Sequence, residues 1–404
     1  MSAQTTSFVR PIPVIDLTRP EFPDSASVGA LIGDARVIAL GEGAHSISEF
    51  TAYGDALLRQ LVQEHGVTAF VLESGFAEGL LVDDWIHGGH GELDDIARAG
   101  ITYGFGESAQ IKRQLTWLRE WNARGGDVRF YGMDLPGSST SPGPAVRACL
   151  ARIPAHAADD ELLRRSDLGG RTEAAVAFAA MTTEQREDLT VALRGLITRV
   201  RDSDDDVAQR CADSIEAFLG ELGWDGEPGP YPREEYMASM VRWIAAREER
   251  ILVYAHNGHV RRTALDGRDM MGALLSRVLG DELRVIGMTF GAGPVVTFTQ
   301  RSARPFDCDV ALSERGTAPG SIEAAIEDRL EELGADAAIV DLAAAPSAFF
   351  DGCAGMLSSG TLEQVPDFRA SFDALLHLRH VRAVPGAFER LRDEFDAPAG
   401  AEAR

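Results

Sequence analysis

A chain of 404 residues with 45% hydrophobic and 25% charged residues is long enough to bury a large core and has the composition of a soluble globular protein. Its formal net charge of −24 argues against nucleic acid or an anionic membrane as partner, because a polyanion is repelled over roughly a Debye length; a small-molecule partner is left. The N-terminus lacks a basic segment followed by an apolar one, and no run of about 18 apolar residues occurs, so the expected location is the cytoplasm.

Residues 1–35 carry Pro11, Pro13, Pro20 and Pro23 and predict an extended lead-in with one short helix over 27–32. Val37 to Leu40 then read as a buried strand that stops at Gly41-Glu42-Gly43, with His45 just beyond. Both glycines allow positive φ and a close reversal into a helix over 50–61, so the turn is expected to expose Glu42 and His45. Ligands of open α/β sheets bind beyond the carboxyl ends of strands, which makes this turn the first site candidate. The string Gly41 to Ser46 falls short of a dinucleotide fingerprint, because Ser46 stands at the third glycine and Glu42 where pyrophosphate would approach. A bland alternative for His45 is a helix cap.

Residues 68–74 repeat the design, an apolar run ending in the carboxylate of Glu73, with a helix over 77–85 after it. The His87-Gly-Gly-His90-Gly loop has H-x-x-H spacing, but a glycine loop offers a metal no fixed geometry. An amphipathic helix over 107–124 sets Ile111, Leu115 and Leu118 on one face; Trp117 and Trp121 share its spacing and are expected in the core. A third strand over 128–134 ends at Asp134. The alternation predicts an α/β fold with a largely parallel central sheet flanked by helices.

From 140 to 250 the sequence turns Ala-, Arg- and Glu-rich and reads as a helical insertion, with a solvated acidic run at 202–206, a loop over 224–232 and a helix over 234–247. The fourth strand, 251–255, delivers His256 and His259 around Gly258. Strands over 284–290 and 295–299, joined by Gly291-Ala-Gly-Pro294, predict a hairpin. A further strand covers 337–342, with Asp341 near its end, and a helix followed by a disordered tail is expected from Pro385. The organisation is read as residues 1–140 for the first part of the α/β core, 141–249 for the helical insertion, and 250–404 for the second part. Cys149, Cys211, Cys308 and Cys353 are scattered and expected as isolated thiols, and no G-x-S-x-G offers a serine nucleophile.

Glu42, His45, Glu73, Asp134, His256 and His259 thus come from four strand ends, which a parallel sheet brings to one edge. Such a group suits general acid-base work: one His takes a proton from water, a carboxylate fixes its tautomer, and a second His donates to a developing oxyanion. His256-x-x-His259 lies in a strand-to-loop turn rather than at i, i+4 on a helix, so no metal and no other cofactor is expected.

Gly41-Glu-Gly-Ala-His45, the Glu73 strand, Trp117-Leu-Arg-Glu-Trp-Asn122, Tyr131-Gly-Met-Asp134, Ala255-His-Asn-Gly-His-Val260 and Phe372-Asp-Ala-Leu-Leu376 resemble, in order, the motif series of the erythromycin esterase family over about residues 30–385. The resemblance implies a cleft in which His45 activates water for ester or lactone hydrolysis, with Glu42, Glu73, His256 and His259 in supporting roles. Asp134, Ser74 and Asn257 are assigned to substrate binding. Two positions depart from the family: Gly54 stands where an arginine often follows the catalytic His by nine residues, and Met240 where an Asn is usual. They bear on the substrate, and they keep open a biosynthetic enzyme using the same site for cyclisation, elimination or rearrangement.

Overall fold

A computed structural model describes residues 8–18, 21–22, 25–223, 231–302 and 307–396. Its strands are β1 (Val9–Pro11), β2 (Val37–Glu42), β3 (Ala69–Gly75), β4 (Arg129–Asp134), β5 (Ile251–His256), β6 (Leu283–Gln300), β7 (Cys308–Gly316), β8 (Ala337–Asp341), β9 (Gly355–Ser358), β10 (Thr361–Gln364) and β11 (Ala374–His380). The fold is α/β, with a mostly parallel central sheet flanked by helices. The chain forms two compact units, one of residues 1–70, 244–297 and 312–384, the other of 71–243, 298–311 and 385–404.

In the first unit the sheet runs in the order β1-β8-β11-β6-β2-β5. The pairs β11–β6, β6–β2 and β2–β5 are parallel, whereas β1–β8 and β8–β11 are antiparallel. β2 is flanked on both sides, which is why Val37, Ile38, Ala39 and Leu40 read as an unbroken apolar run, and all four are buried. The strand continues two residues past that run, so Gly41 and Glu42 belong to it. Register places Glu42, the last residue of β2, beside His256, the last residue of β5. Parallel strands end on the same side, and this pairing carries both side chains to one edge of the unit.

The expected hairpin at Gly291-Ala-Gly-Pro294 does not form; β6 runs unbroken through it for 18 residues. The glycines serve close approach instead. A Cβ at Gly291 would strike the Glu327 carboxylate and the Arg379 carbonyl, and one at Gly293 would strike Val381. The helix after β2 runs Ser48–Glu64, longer than the apolar pattern alone marks. The lead-in contains β1 and the helix Ser25–Ile32, while Pro20 and Pro23 lie outside the described residues.

β3 and β4 are neighbours in the second unit, whose other elements are nearly all helices. Every element between β4 and β5 is helical, from Pro136–Ser139 to Pro232–Ala245; residues 224–230 of the expected loop lie outside the described residues. Trp117 and Trp121 do not enter the core. They stack on one another, ring centroids 5.6 Å apart, on a half-buried flank, and Ile111, Leu115 and Leu118 fill the buried face. Part of the acidic run has a structural role: Asp205 accepts the Ala208 N–H at the next helix's start, and Asp206 accepts the Trp243 indole N–H. The four cysteines are free thiols. The final helix is Ala387–Asp396, and the tail beyond lies outside the described residues. Among the described residues no helix is long and apolar enough to cross a membrane.

One buried network gives the first unit a titrating weak point. His377 is fully buried, with Nδ1 2.8 Å from Thr289 Oγ1 and Nε2 2.9 Å from Glu327 Oε1, while Arg379 Nε donates to the other Glu327 oxygen at 3.0 Å. Burial pushes the His377 imidazole below its ordinary value of 6.5, outweighing the pull of Glu327. The unfolded chain therefore binds a proton at a pH where the folded chain does not. Stability is then full above about 6.5 and falls as pH drops below it. Thermal unfolding between pH 7.5 and 5 should show this decline, and His377→Gln should flatten it.

Candidate functional site

The site of the first unit is built on the carboxyl ends of β2 and β5. Glu42 is buried at the end of β2, and its Oε1 lies 2.6 Å from Nδ1 of His45, whose ring is more than one-third exposed. The expected exposure thus holds for the imidazole and not for the carboxylate, which lies beneath it. The second carboxylate oxygen accepts the Tyr254 hydroxyl at 2.7 Å. With Nδ1–H donating to Glu42, the neutral His45 ring keeps its lone pair on Nε2. A buried carboxylate beneath a partly exposed imidazole is an arrangement that holds one tautomer of the ring.

His256 approaches the same imidazole, with ring centroids 5.1 Å apart and planes inclined by 53°. Its Nδ1 accepts the Gly258 N–H at 3.2 Å, capping the one-turn helix Asn257–Val260, so the neutral ring carries its proton on Nε2. His259 is in that turn and half-buried. Asn257 is buried and braces the scaffold. Its Nδ2 donates to the Met288 carbonyl of β6 at 2.9 Å, while its side chain fills the space over Gly41.

That packing explains the two glycines. Neither adopts positive φ; the left-handed residue of the turn is Ser46, at φ 61°. A Cβ on Gly41 would strike Asn257 and come within 2.6 Å of Val260 Cγ2, and one on Gly43 would come within 2.9 Å of the Met288 carbonyl. Backbone bonds pin the turn: Ser359 N–H donates to Gly43 O at 2.8 Å, and Val384 N–H to Ser46 O at 2.8 Å. Buried Glu49 accepts both the backbone N–H and Nε of Arg382 at 2.7 Å. These contacts hold a strained Ser46 in place, as φ > 0 at a non-glycine residue requires.

The second unit holds Glu73, Ser74 and Asp134. Glu73 and Asp134 are buried, and a guanidinium that the sequence pattern did not mark joins them. Arg233 donates from Nε and Nη2 to the two Asp134 oxygens at 2.8 and 2.6 Å, and from Nη2 to Glu73 Oε1 at 3.2 Å. The Tyr103 hydroxyl donates to Asp134 Oδ2 at 2.8 Å, and Arg233 lies 5.7 Å from the centre of its ring. Burial alone would weaken the hold of Arg233 on its proton, but Asp134, Tyr103 and Glu73 outweigh it and keep the guanidinium charged. Burial pushes the Tyr103 phenol well up, so it acts as a neutral donor. Ser74 is fully buried, and its hydroxyl accepts the Thr102 N–H at 2.9 Å.

Tyr254, Tyr103 and Arg233 escaped the sequence reading. Tyr254 shares a strand face with His256, two positions on, and that alternation was its one signal. Arg233 follows a Gly- and Pro-rich stretch that carries no comparable mark. Among the described residues no three His, Cys, Asp or Glu side chains group so as to hold a metal ion.

A family model described as erythromycin esterase matches residues 62–381, a stretch that opens after the Glu42–His45 turn and takes in Glu73, Asp134, His256 and His259. Erythromycin esterase type II of Escherichia coli is 28% identical over 310 residues, covering 67% of this chain and 73% of the relative. Erythromycin esterase type I of Escherichia coli is 22% identical over 293 residues, covering 65% and 70%. Among solved structures, a mutant of the erythromycin esterase EreC in its open conformation matches with a TM-score of 0.71 at 20% identity, over 92% of this chain and 98% of the other. A succinoglycan biosynthesis protein matches with a TM-score of 0.70 at 18% identity, over 93% and 95%. A Bacillus cereus protein matches with a TM-score of 0.69 at 18% identity, over 93% and 96%. At these identities the structural likenesses speak to the fold.

Proposed function

This chain belongs to the erythromycin esterase family, and we propose that it is an esterase-like hydrolase opening an ester or lactone of an apolar, macrolide-type small molecule, with His45 activating the attacking water. The observation that carries the reading is the His45–Glu42 pair, with Tyr254 on the second carboxylate oxygen. In the proposed reaction Nε2 of His45 takes a proton as the water oxygen bonds to the ester carbonyl carbon. Glu42 stabilises the imidazolium so formed, and the Nε2–H of His256 donates to the developing oxyanion. Collapse breaks the bond to the alkoxy oxygen, which takes the proton back from His45, giving an acid and an alcohol.

His259 and Glu73 take supporting roles in this reading, the Arg233 guanidinium setting its charge against Glu73 and Asp134. Ser74 and Asn257 act through the scaffold that they hold. No serine attacks, in keeping with the missing G-x-S-x-G, so no acyl-enzyme should accumulate.

The test is turnover of a macrolide lactone in ¹⁸O-water with mass analysis of the product. Hydrolysis must place one solvent oxygen in the new carboxylate. A product that forms at the enzymatic rate with no ¹⁸O would overturn the proposal in favour of cyclisation, elimination or rearrangement.

A further inference from the structure

The helix that follows the catalytic turn, Ser48–Glu64, carries a glycine in its interior, Gly54. A glycine there makes the helix less stable than alanine would, so a packing reason is called for. The structure supplies one. A Cβ at position 54 would lie 2.6 Å from Cε2 and 3.1 Å from Cδ2 of Tyr254, the first closer than any side-chain carbon tolerates. The bare backbone of Gly54 is therefore the socket for the Tyr254 ring, which is buried against it, and the hydroxyl at the end of that ring is the one that meets Glu42 Oε2 at 2.7 Å.

We infer that Tyr254, seated on Gly54, is a positioning residue for the His45 base. It clamps the Glu42 carboxylate from the side opposite the imidazole and shares its negative charge. The inference rests on the hydrolase reading for its kinetic consequence and on the geometry alone for its physical one. A phenol cannot turn away from Glu42 while its ring is held in the socket, and a carboxylate held at both oxygens cannot rotate out of line with His45 Nδ1. The same hydrogen bond moderates the carboxylate's pull on the imidazole proton. Without it the imidazolium is held more strongly, and the base stays protonated to higher pH. Among the described residues, the titratable Tyr254 meets the carboxylate and the titratable His256 meets the imidazole.

The test uses Tyr254→Phe, which deletes one oxygen and keeps the ring in its socket, together with Gly54→Ala, which pushes the ring off. The titration of the His45 Cε1–H is followed by NMR in the full chain, with His45→Asn identifying the signal. In Tyr254→Phe the midpoint is expected to rise by roughly half to one pH unit, the equivalent of one net hydrogen bond. Gly54→Ala should move it the same way, and the double variant no further, since both remove one interaction. On a lactone substrate, kcat should fall about tenfold, KM should hardly change, and the acid limb of kcat/KM should move up with the midpoint. A His45 midpoint unchanged in Tyr254→Phe would overturn the inference. A midpoint that rises in a protein with no lactone hydrolysis would sustain it while overturning the proposed reaction. Should Gly54→Ala fail to fold, Tyr254→Phe decides alone.

Discussion

Replacing His45 by asparagine is expected to lower turnover by at least ~10²-fold, the lower range of what one positioned general base supplies, with thermal unfolding essentially unchanged. The contrast rests on what asparagine keeps. Its amide N–H can stand where Nδ1–H stands and still donate to Glu42 Oε1, so the buried carboxylate retains both donors, from position 45 and from Tyr254. The residue is partly exposed and fills no core space, and asparagine suits turns and helix starts well. What disappears is the Nε2 lone pair. If His45 only braced the turn, asparagine would be among the best replacements and activity would survive. Single-turnover rates of the variant, measured beside its unfolding curve, separate the two readings, and wild-type turnover would remove His45 from the role of base.

Arg233→Leu is expected to destabilise the second unit strongly. Leucine fills part of the volume but leaves Asp134, which has no exposed side chain, and nearly buried Glu73 without their cation. Breaking a buried ion pair from one side costs about 3–5 kcal/mol, because the surviving charges stay desolvated. Denaturant unfolding at pH 7.5 measures the loss. The sign of its pH dependence is diagnostic: with the guanidinium gone, the carboxylates take up protons more readily folded than unfolded, so the variant should recover stability as pH falls. Arg233→Lys keeps the charge without the two-pronged fit to Asp134 and should fall between the two. A leucine variant with the wild-type midpoint would mean that the trio adds nothing net.

The strands were legible because burial on both faces writes an unbroken apolar run, as in Val37 to Leu40 and Ile251 to Ala255. The meeting of Glu42 with His256 followed from one further rule, that parallel neighbours end together. What stayed hidden depended on contacts between distant residues. Tyr254 lies 212 positions from Glu42, and Arg233 lies 160 from Glu73; neither residue carries a local sign of its partner. The glycines misled for a related reason. Gly41, Gly43 and Gly291 read as turn formers, yet each is there to let another part of the chain come close, which is a property of the neighbour rather than of the glycine, and only Gly293 of the four adds a positive φ, 155°, to such a close approach.

The Glu42–His45 pair spans three residues, whereas the Tyr254 clamp closes a loop of more than two hundred. A short contact can form within a nascent turn, but a distant one waits until the intervening chain has been made and has collapsed. During synthesis the Glu42–His45 turn leaves the ribosome early, and β5 follows only after the helical segment has been translated. Until that strand docks beside β2, the chain has the Glu42–His45 contact but neither Tyr254 nor His256. Premature termination between Ser46 and Ile251 therefore yields a fragment that keeps the Glu42–His45 turn and lacks the strand that carries Tyr254 and His256.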